Sequence, residues 1–240
     1  MTTRAVLVDL DDTLFDHRGS ARAALAEIHQ RHAAAADFAA FEAQHVHHLE
    51  VMHLEVLAGR MSIDDARRER FRRVFAAVGV PLDEPGIDTV AAAYRRAYMG
   101  ARRALDGADA LLAAIRPHAR IAIVSNNILA EQQEKVRFCG IDTLIDALVV
   151  SEEAGVSKPD PAIFAIALDR LGVTPASAVM LGDSWSADIV GAARAGIRPV
   201  WYNPLRKPKP SDPPDVEEIH ALTPAGEIVA LLLDAANGER

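Results

Sequence analysis

Cysteine, aromatic side chains and long apolar runs are all scarce in this sequence. The single cysteine, Cys139, excludes an internal disulfide and fits a reducing compartment. Aromatic residues make up 5% of the chain, so alanine, valine, leucine and isoleucine must supply much of the buried surface. The first apolar run, Ala5 to Val8, is cut at once by Asp9, and no stretch reads as a signal-peptide core or a membrane span. A basic surplus is also missing. The 26 lysines and arginines face 34 acids, a formal net charge of −8, which argues against a nucleic-acid partner. The expectation is a soluble cytoplasmic protein, monomeric or homodimeric, that binds neither nucleic acid nor membrane. The 240 residues, 50% hydrophobic and 25% charged, suffice for one large α/β domain or for a core domain with a small insert.

Residues 5–10 (AVLVDL) read as a buried strand with carboxylates starting at its C-terminal end. From about residue 18 to 104 Ala, Arg, His and Glu dominate. Apolar residues recur there at helical spacing, as in Leu49, Met52, Val56 and Leu57, then Phe71, Val74, Phe75 and Val78. Breaks near Ala36-Asp37, Gly59 and Gly79-Val80-Pro81 divide this block into about four helices. After Gly107, strands predicted over 121–125, 147–150, 178–181 and 199–202 alternate with helices over 129–139, 161–171 and 187–195. Asp160, Pro161 and Gly172 supply the start and stop of the second of those helices. Residues 203–218, with five prolines, read as a loop, and Thr223-Pro224 opens a terminal helix. The alternation predicts an α/β fold with a mainly parallel sheet covered on both faces, the helical block being inserted after strand one.

Polar residues gather after four predicted strands, where open α/β sheets bind ligands. The first group is Asp9-Leu10-Asp11-Asp12-Thr13. Strand alternation puts Asp9 and Asp11 on one side, and carboxylates ending an apolar strand are costly unless paired or bound to a cation. The second, Val124-Ser125-Asn126-Asn127, offers a hydroxyl and backbone N–H groups for anionic oxygens, although an ordinary turn into a helix looks the same. In the third, Ser157-Lys158-Pro159-Asp160-Pro161, prolines fix a loop that presents one positive charge. The fourth runs from Gly182 to Asp188, with Asp183 and Asp188 bracketing a strand-to-helix turn. Together they suit a hard cation such as Mg²⁺. Asp9, Asp11 and Asp183 would supply oxygens, Lys158 and Ser125 would meet a phosphate, and a second carboxylate beside a nucleophile suits general acid/base work.

Asp-Leu-Asp-Asp-Thr-Leu, the strand-end Ser125, Ser-Lys-Pro-Asp-Pro and Gly-Asp-x-x-x-x-Asp, in that order, resemble the motifs of the haloacid dehalogenase superfamily. The resemblance covers residues 5–17 and 107–203. It implies a Rossmann-like core formed by residues 1–17 and 105–240, with a helical cap at 18–104. It also implies a Mg²⁺-dependent phosphatase acting through an aspartyl-phosphate. Asp9 would be the nucleophile. Asp11 would protonate the leaving oxygen, then activate water, and its backbone carbonyl would join Asp9 and Asp183 on Mg²⁺, with Asp188 in support. Thr13 would help fix the substrate-binding loop and Asp11. Ser125 and the Asn126 N–H would bind phosphoryl oxygens, while Lys158 would neutralise charge on Asp9 and the phosphoryl group.

Within the superfamily, the dehalogenase branch typically has Tyr where this sequence has Asp11, and needs no metal. A leaving halide takes no proton, so Asp11 favours a phosphatase. Asp183 counts against a sugar-phosphate mutase, which usually has Glu there. The absence of lysine from 18–104 counts against a phosphonate hydrolase, which needs a cap lysine. A silent binding module would be marked by loss of Asp9 or Lys158. Asn126-Asn127 and Val200-Trp201-Tyr202-Asn203 resemble a subgroup that includes pyrimidine 5′-nucleotidases and N-acylneuraminate-9-phosphatase. The implied substrate is a small phosphorylated metabolite, of nucleoside monophosphate or sugar phosphate type. His29, His32, His45, His47, His48 and His53 read as a solvated helix face. From residue 60 to 103 ten arginines against six acids leave a local +4, read as solvated or paired with Asp64, Asp65 and Glu69.

Overall fold

A computed structural model describes residues 4–233. The chain divides into two compact units. One holds residues up to Asp16 together with those from Ala104 on, and the other holds His17–Arg103. In chain order the elements are β1 (Ala5–Val8), α1 (His17–His32), α2 (Phe38–Leu57), α3 (Ile63–Ala77), α4 (Glu84–Ala101), α5 (Ala108–Ile115), β2 (Arg120–Ser125), α6 (Leu129–Phe138) and β3 (Ala147–Val150). Then follow α7 (Ser151–Ala154), α8 (Pro161–Leu171), β4 (Ala178–Gly182), α9 (Val190–Arg194), β5 (Arg198–Tyr202), β6 (Glu217–Ile219) and α10 (Ala225–Leu233).

The first unit is built on a six-stranded sheet in the order β3-β2-β1-β4-β5-β6, parallel throughout. Parallel strands need crossover helices on the faces, so their residues are apolar on both sides. β1 shows this, with all four of its residues buried. Leu7, Val124 and Met180 from three neighbouring strands pack with Ile163 and Phe164 of α8. Strand order reverses at β1, which is flanked by β2 and β4, and that reversal opens a crevice beyond the strand ends. Asp160 caps α8 by accepting the Ala162 N–H, and Gly172 ends it in the left-handed conformation at φ 63°. Close to β1 the chain leaves the sheet and comes back at one point. Phe15 bridges to Ala104, and the Leu105 N–H donates to the Leu14 carbonyl at 2.9 Å.

The second unit is four helices, α1 to α4, and the starts of the last three are written in the sequence. Asp37, Ser62 and Asp83 each accept a backbone N–H three residues on, which satisfies one of the free donors of the first turn. The interior is aromatic, with Phe41 and Phe75 edge to face at 5.3 Å.

Five sequence expectations are corrected. Residues 203–218 are not all loop, because Glu217–Ile219 adds β6 in parallel beside β5. Two glutamates in a three-residue segment mask a strand, yet charge is common on an edge strand. The strand expected over 199–202 starts one residue earlier, at Arg198, and β6 follows it. The helix expected over 187–195 is a π-helical turn, Trp185–Ile189, followed by α9. His45 lies inside the helical unit at 2% exposure, against the rings of Phe71 and Tyr94, rather than on a solvated face. The arginines do pair outside, Arg67 with Asp64, Arg68 with Asp65 and Arg73 with Glu69, but Arg70 is buried over the same two rings.

Candidate active site

The Asp9 N–H donates to the Leu181 carbonyl at 2.9 Å, extending the β1–β4 ladder by one residue and setting Asp9 at the switch point. The chain then turns sharply. The Leu10 carbonyl takes the N–H groups of Thr13, Leu14 and Phe15, while Asp12 adopts φ 63°, which aspartate tolerates better than most residues. The two carboxylates expected on one side of the strand take different partners. The Asp9 carboxylate meets Lys158, whereas that of Asp11 meets Asn127, Gln132 and Lys135.

Lys158 is the electrostatic centre. Its Nζ donates to Asp9 Oδ1 at 2.6 Å, Asp188 Oδ1 at 2.6 Å and the Val124 carbonyl at 2.7 Å, all buried. Burial disfavours its charge, but Asp188 and Asp9 outweigh that and hold the ammonium above the ordinary lysine value. The loop carrying it is fixed by Asn126, whose amide donates to the Lys158 carbonyl and accepts the Lys158 N–H, at 2.8 and 2.7 Å. Asn126 thus uses its side chain, not only the backbone N–H that the sequence singles out.

One carboxylate oxygen from each of Asp9, Asp183 and Asp188 lies within 4.8 Å of the other two. Burial pushes the Asp9 carboxyl well above the usual range; Lys158 pulls it down, and Asp188 and Asp183 push it up again. Three carboxylates and one ammonium leave a formal charge of −3 + 1 = −2. One divalent cation neutralises that charge, and an all-oxygen donor set suits a hard ion. The Asp11 carboxylate stands outside this cluster.

Backbone details hold the acids in place. Asp188 Oδ2 accepts the Ser184 N–H at 3.0 Å, and the π-helical turn brings Asp188 back over Gly182. A Cβ at Gly182 would sit 2.3 Å from Asp188 Oδ2, so only glycine allows the approach. The Thr13 hydroxyl donates to Asp9 Oδ2 at 3.3 Å and accepts the Asp183 N–H at 3.1 Å. It therefore locks β1 to β4, in place of the expected hold on Asp11. Trp201 Nε1 donates to the Asp183 carbonyl at 2.9 Å. Ser125, buried at the end of β2, accepts from Gln132 Nε2 at 2.6 Å.

Of the residues singled out in the sequence, Asp9, Thr13, Lys158, Asp183 and Asp188 form one connected cluster. Asn126 supports it from the side, and Asp11 and Ser125 meet at Gln132. Sequence reasoning missed Gln132 and Lys135, and gave no side-chain role to Asn127 or Trp201. Gln132 and Lys135 left a usable signal, two polar residues at i,i+3 on a helix that must cover a sheet.

The chain matches the haloacid dehalogenase-like hydrolase family over residues 3–196. It belongs to that family. Pyrimidine 5′-nucleotidase YjjG of Escherichia coli is 41% identical over 107 residues, 44% of this chain and 48% of that protein. The chain thus spans about half the length of that curated relative. Among solved structures, the Bacillus subtilis protein YfnB, in a crystal form bound to magnesium, superposes with a TM-score of 0.75 at 24% identity, covering 97% of this chain and 99% of that one. A 2-haloacid dehalogenase from Pseudomonas syringae superposes at 0.64 and 26% identity, covering 96% and 99%. Proteins that share this fold thus differ in named activity. No helix among the described residues is long and apolar enough to cross a membrane.

Proposed function

We propose that this family member is a Mg²⁺-dependent phosphatase acting on a small phosphorylated metabolite, of nucleoside monophosphate or sugar phosphate type, through an aspartyl-phosphate. The observation that carries this reading is the −2 cluster of Asp9, Asp183 and Asp188 around Lys158, with a further carboxylate, Asp11, on the same loop. A halide leaves without a proton and calls for neither the cation nor Asp11. The nucleotidase name of the E. coli relative points the same way.

In this reading Asp9 Oδ attacks phosphorus, and the bond from phosphorus to the leaving oxygen breaks. Asp11 gives its proton to that oxygen. Water then attacks the phosphoryl group, Asp11 takes the water proton, and the Asp9–phosphorus bond breaks to release inorganic phosphate. Lys158 and the Ser125 hydroxyl stabilise charge on the equatorial oxygens, the main task in phosphoryl transfer. Mg²⁺ held by Asp9, Asp183, Asp188 and the Asp11 carbonyl would neutralise the repulsion between carboxylate and phosphate. The test is phosphate release from a panel of nucleoside monophosphates, sugar phosphates and an aryl phosphate, with and without Mg²⁺. Asp9→Asn, which is isosteric, is expected to lose more than about 10³-fold in kcat while keeping the fold. Wild-type turnover in that variant sinks the assignment, and release of halide from 2-chloropropionate with no phosphate release favours the dehalogenase reading.

A further inference from the structure

Helix α6 places two buried polar side chains, Gln132 and Lys135, one turn apart on one face. Lys135 Nζ donates to both carboxylate oxygens of Asp11, at 2.6 and 2.8 Å. Gln132 Nε2 donates to Asp11 Oδ2 at 3.0 Å and to Ser125 Oγ at 2.6 Å. The Asn127 amide adds a donor to Asp11 Oδ2 at 3.1 Å. Burying an ammonium and an amide is costly unless each is well bonded, and here each is bonded to a group that the phosphatase reading puts to work.

We propose that Gln132 and Lys135 are positioning residues for the reaction. Lys135 sets the direction of the Asp11 carboxylate, and Gln132 ties Asp11 and Ser125 to each other. The inference rests on the phosphatase reading of the site and extends it to α6. Because Ser125 Oγ receives the Gln132 N–H, its own hydroxyl hydrogen is left to point at a phosphoryl oxygen. Gln132 Oε1 meets no partner among the described residues, and the reversed amide would set that oxygen against Asp11 Oδ2. The two Nε2 bonds therefore fix a single orientation. The Lys135 ammonium also lies 5.2 Å from the centre of the Phe15 ring, which restrains it further. Both anchors come from one helical turn, so the phosphoryl-binding hydroxyl and the acid/base group share a rigid mount.

The two residues separate in a KM-against-kcat experiment. Wild type, Gln132→Met, Lys135→Met and Lys135→Arg are compared on p-nitrophenyl phosphate with Mg²⁺. The inhibition constant of orthovanadate, a probe of the phosphoryl subsite, is measured alongside. Lys135→Met keeps an unbranched stem on Phe15. Its kcat is expected to fall about 10- to 100-fold, with orthovanadate inhibition changed less than about twofold. Lys135→Arg recovers most of the rate. Gln132→Met is expected to lose kcat and also to weaken orthovanadate about tenfold. Thermal melts check folding, and if Gln132→Met does not fold, the Lys135 pair decides alone. Two results overturn the inference. In one, both methionine variants stay within about twofold of wild type. In the other, Lys135→Met weakens orthovanadate as much as it slows turnover, the mark of general distortion. A wild type that releases no phosphate overturns the phosphatase reading, and these roles with it.

Discussion

The two units treat buried polarity in opposite ways. In the α/β unit two buried lysines are bonded to carboxylates, Lys158 to Asp9 and Asp188 and Lys135 to the half-buried Asp11. In the helical unit ion pairs such as Arg60 with Glu55 sit on the surface, while the interior holds Arg70 and a histidine, His45, whose Nε2 has no hydrogen-bond partner among the described residues. Burial first, then Arg70, His17 and His48, hold His45 well below the usual histidine range and so neutral. The difference teaches that buried lysines in the α/β unit are matched with carboxylates, whereas the buried arginine of the helical unit, Arg70, is packed over the rings of Phe71 and Tyr94.

The strongest way to break this contrast is Lys158→Met. Removing the ammonium strands Asp9 and Asp188 in the interior, and unfolding free energy is expected to drop by about 3–5 kcal/mol in a denaturant titration. An unchanged midpoint would mean that the carboxylates are not held as a charged cluster. Next in size is cation binding. Mg²⁺ at about 100 times its dissociation constant should stabilise the wild type by about 2.7 kcal/mol. Asp183→Asn should abolish the gain, and equal melting shifts in both proteins would refute the site. Third is the pH response of His45. Its folded pKa lies below the unfolded value near 6.5, so the unfolded chain binds the proton first as pH falls. Stability is whole above pH 6.5 and declines below it, by at most about 1.4 kcal/mol per pH unit from this group. Arg70 on α3, His17 on α1, His48 on α2 and the Tyr94 ring on α4 are the groups that face it. His45→Phe should flatten that slope, measured as melting temperature between pH 7 and 5; an unaltered slope would assign it elsewhere. The smallest effect is expected of Arg60→Ala, where solvent screens the pair and the melting temperature should not move.

The α/β fold was legible because strands and helices announce themselves by period and by caps such as Asp160 and Gly172. The meeting of Asp9, Lys158 and Asp183 followed from one rule, that parallel strand ends face one crevice. The contacts of Lys135 and Trp201 were not legible, since each depends on how a helix or strand docks against a loop far away in the chain. His45 was readable in principle. It falls on the same stripe of α2 as Phe41 and Met52, which are buried with it, but a polar name hid an apolar position. Glu217 and Glu218 hid β6 in the same way.

The bridge between Phe15 and Ala104, with the Leu14–Leu105 bond beside it, has a consequence for how this sequence can change. The whole helical unit leaves and rejoins the sheet at hydrogen-bonded neighbours. To the strands it is a closed loop, whatever it contains. Loop-closure entropy grows only with the logarithm of length, about 0.6 kcal/mol for each doubling. Helices can therefore be lengthened, exchanged or trimmed in that excursion at small cost to the sheet, while a one-residue shift within β1 would move every acid at its end.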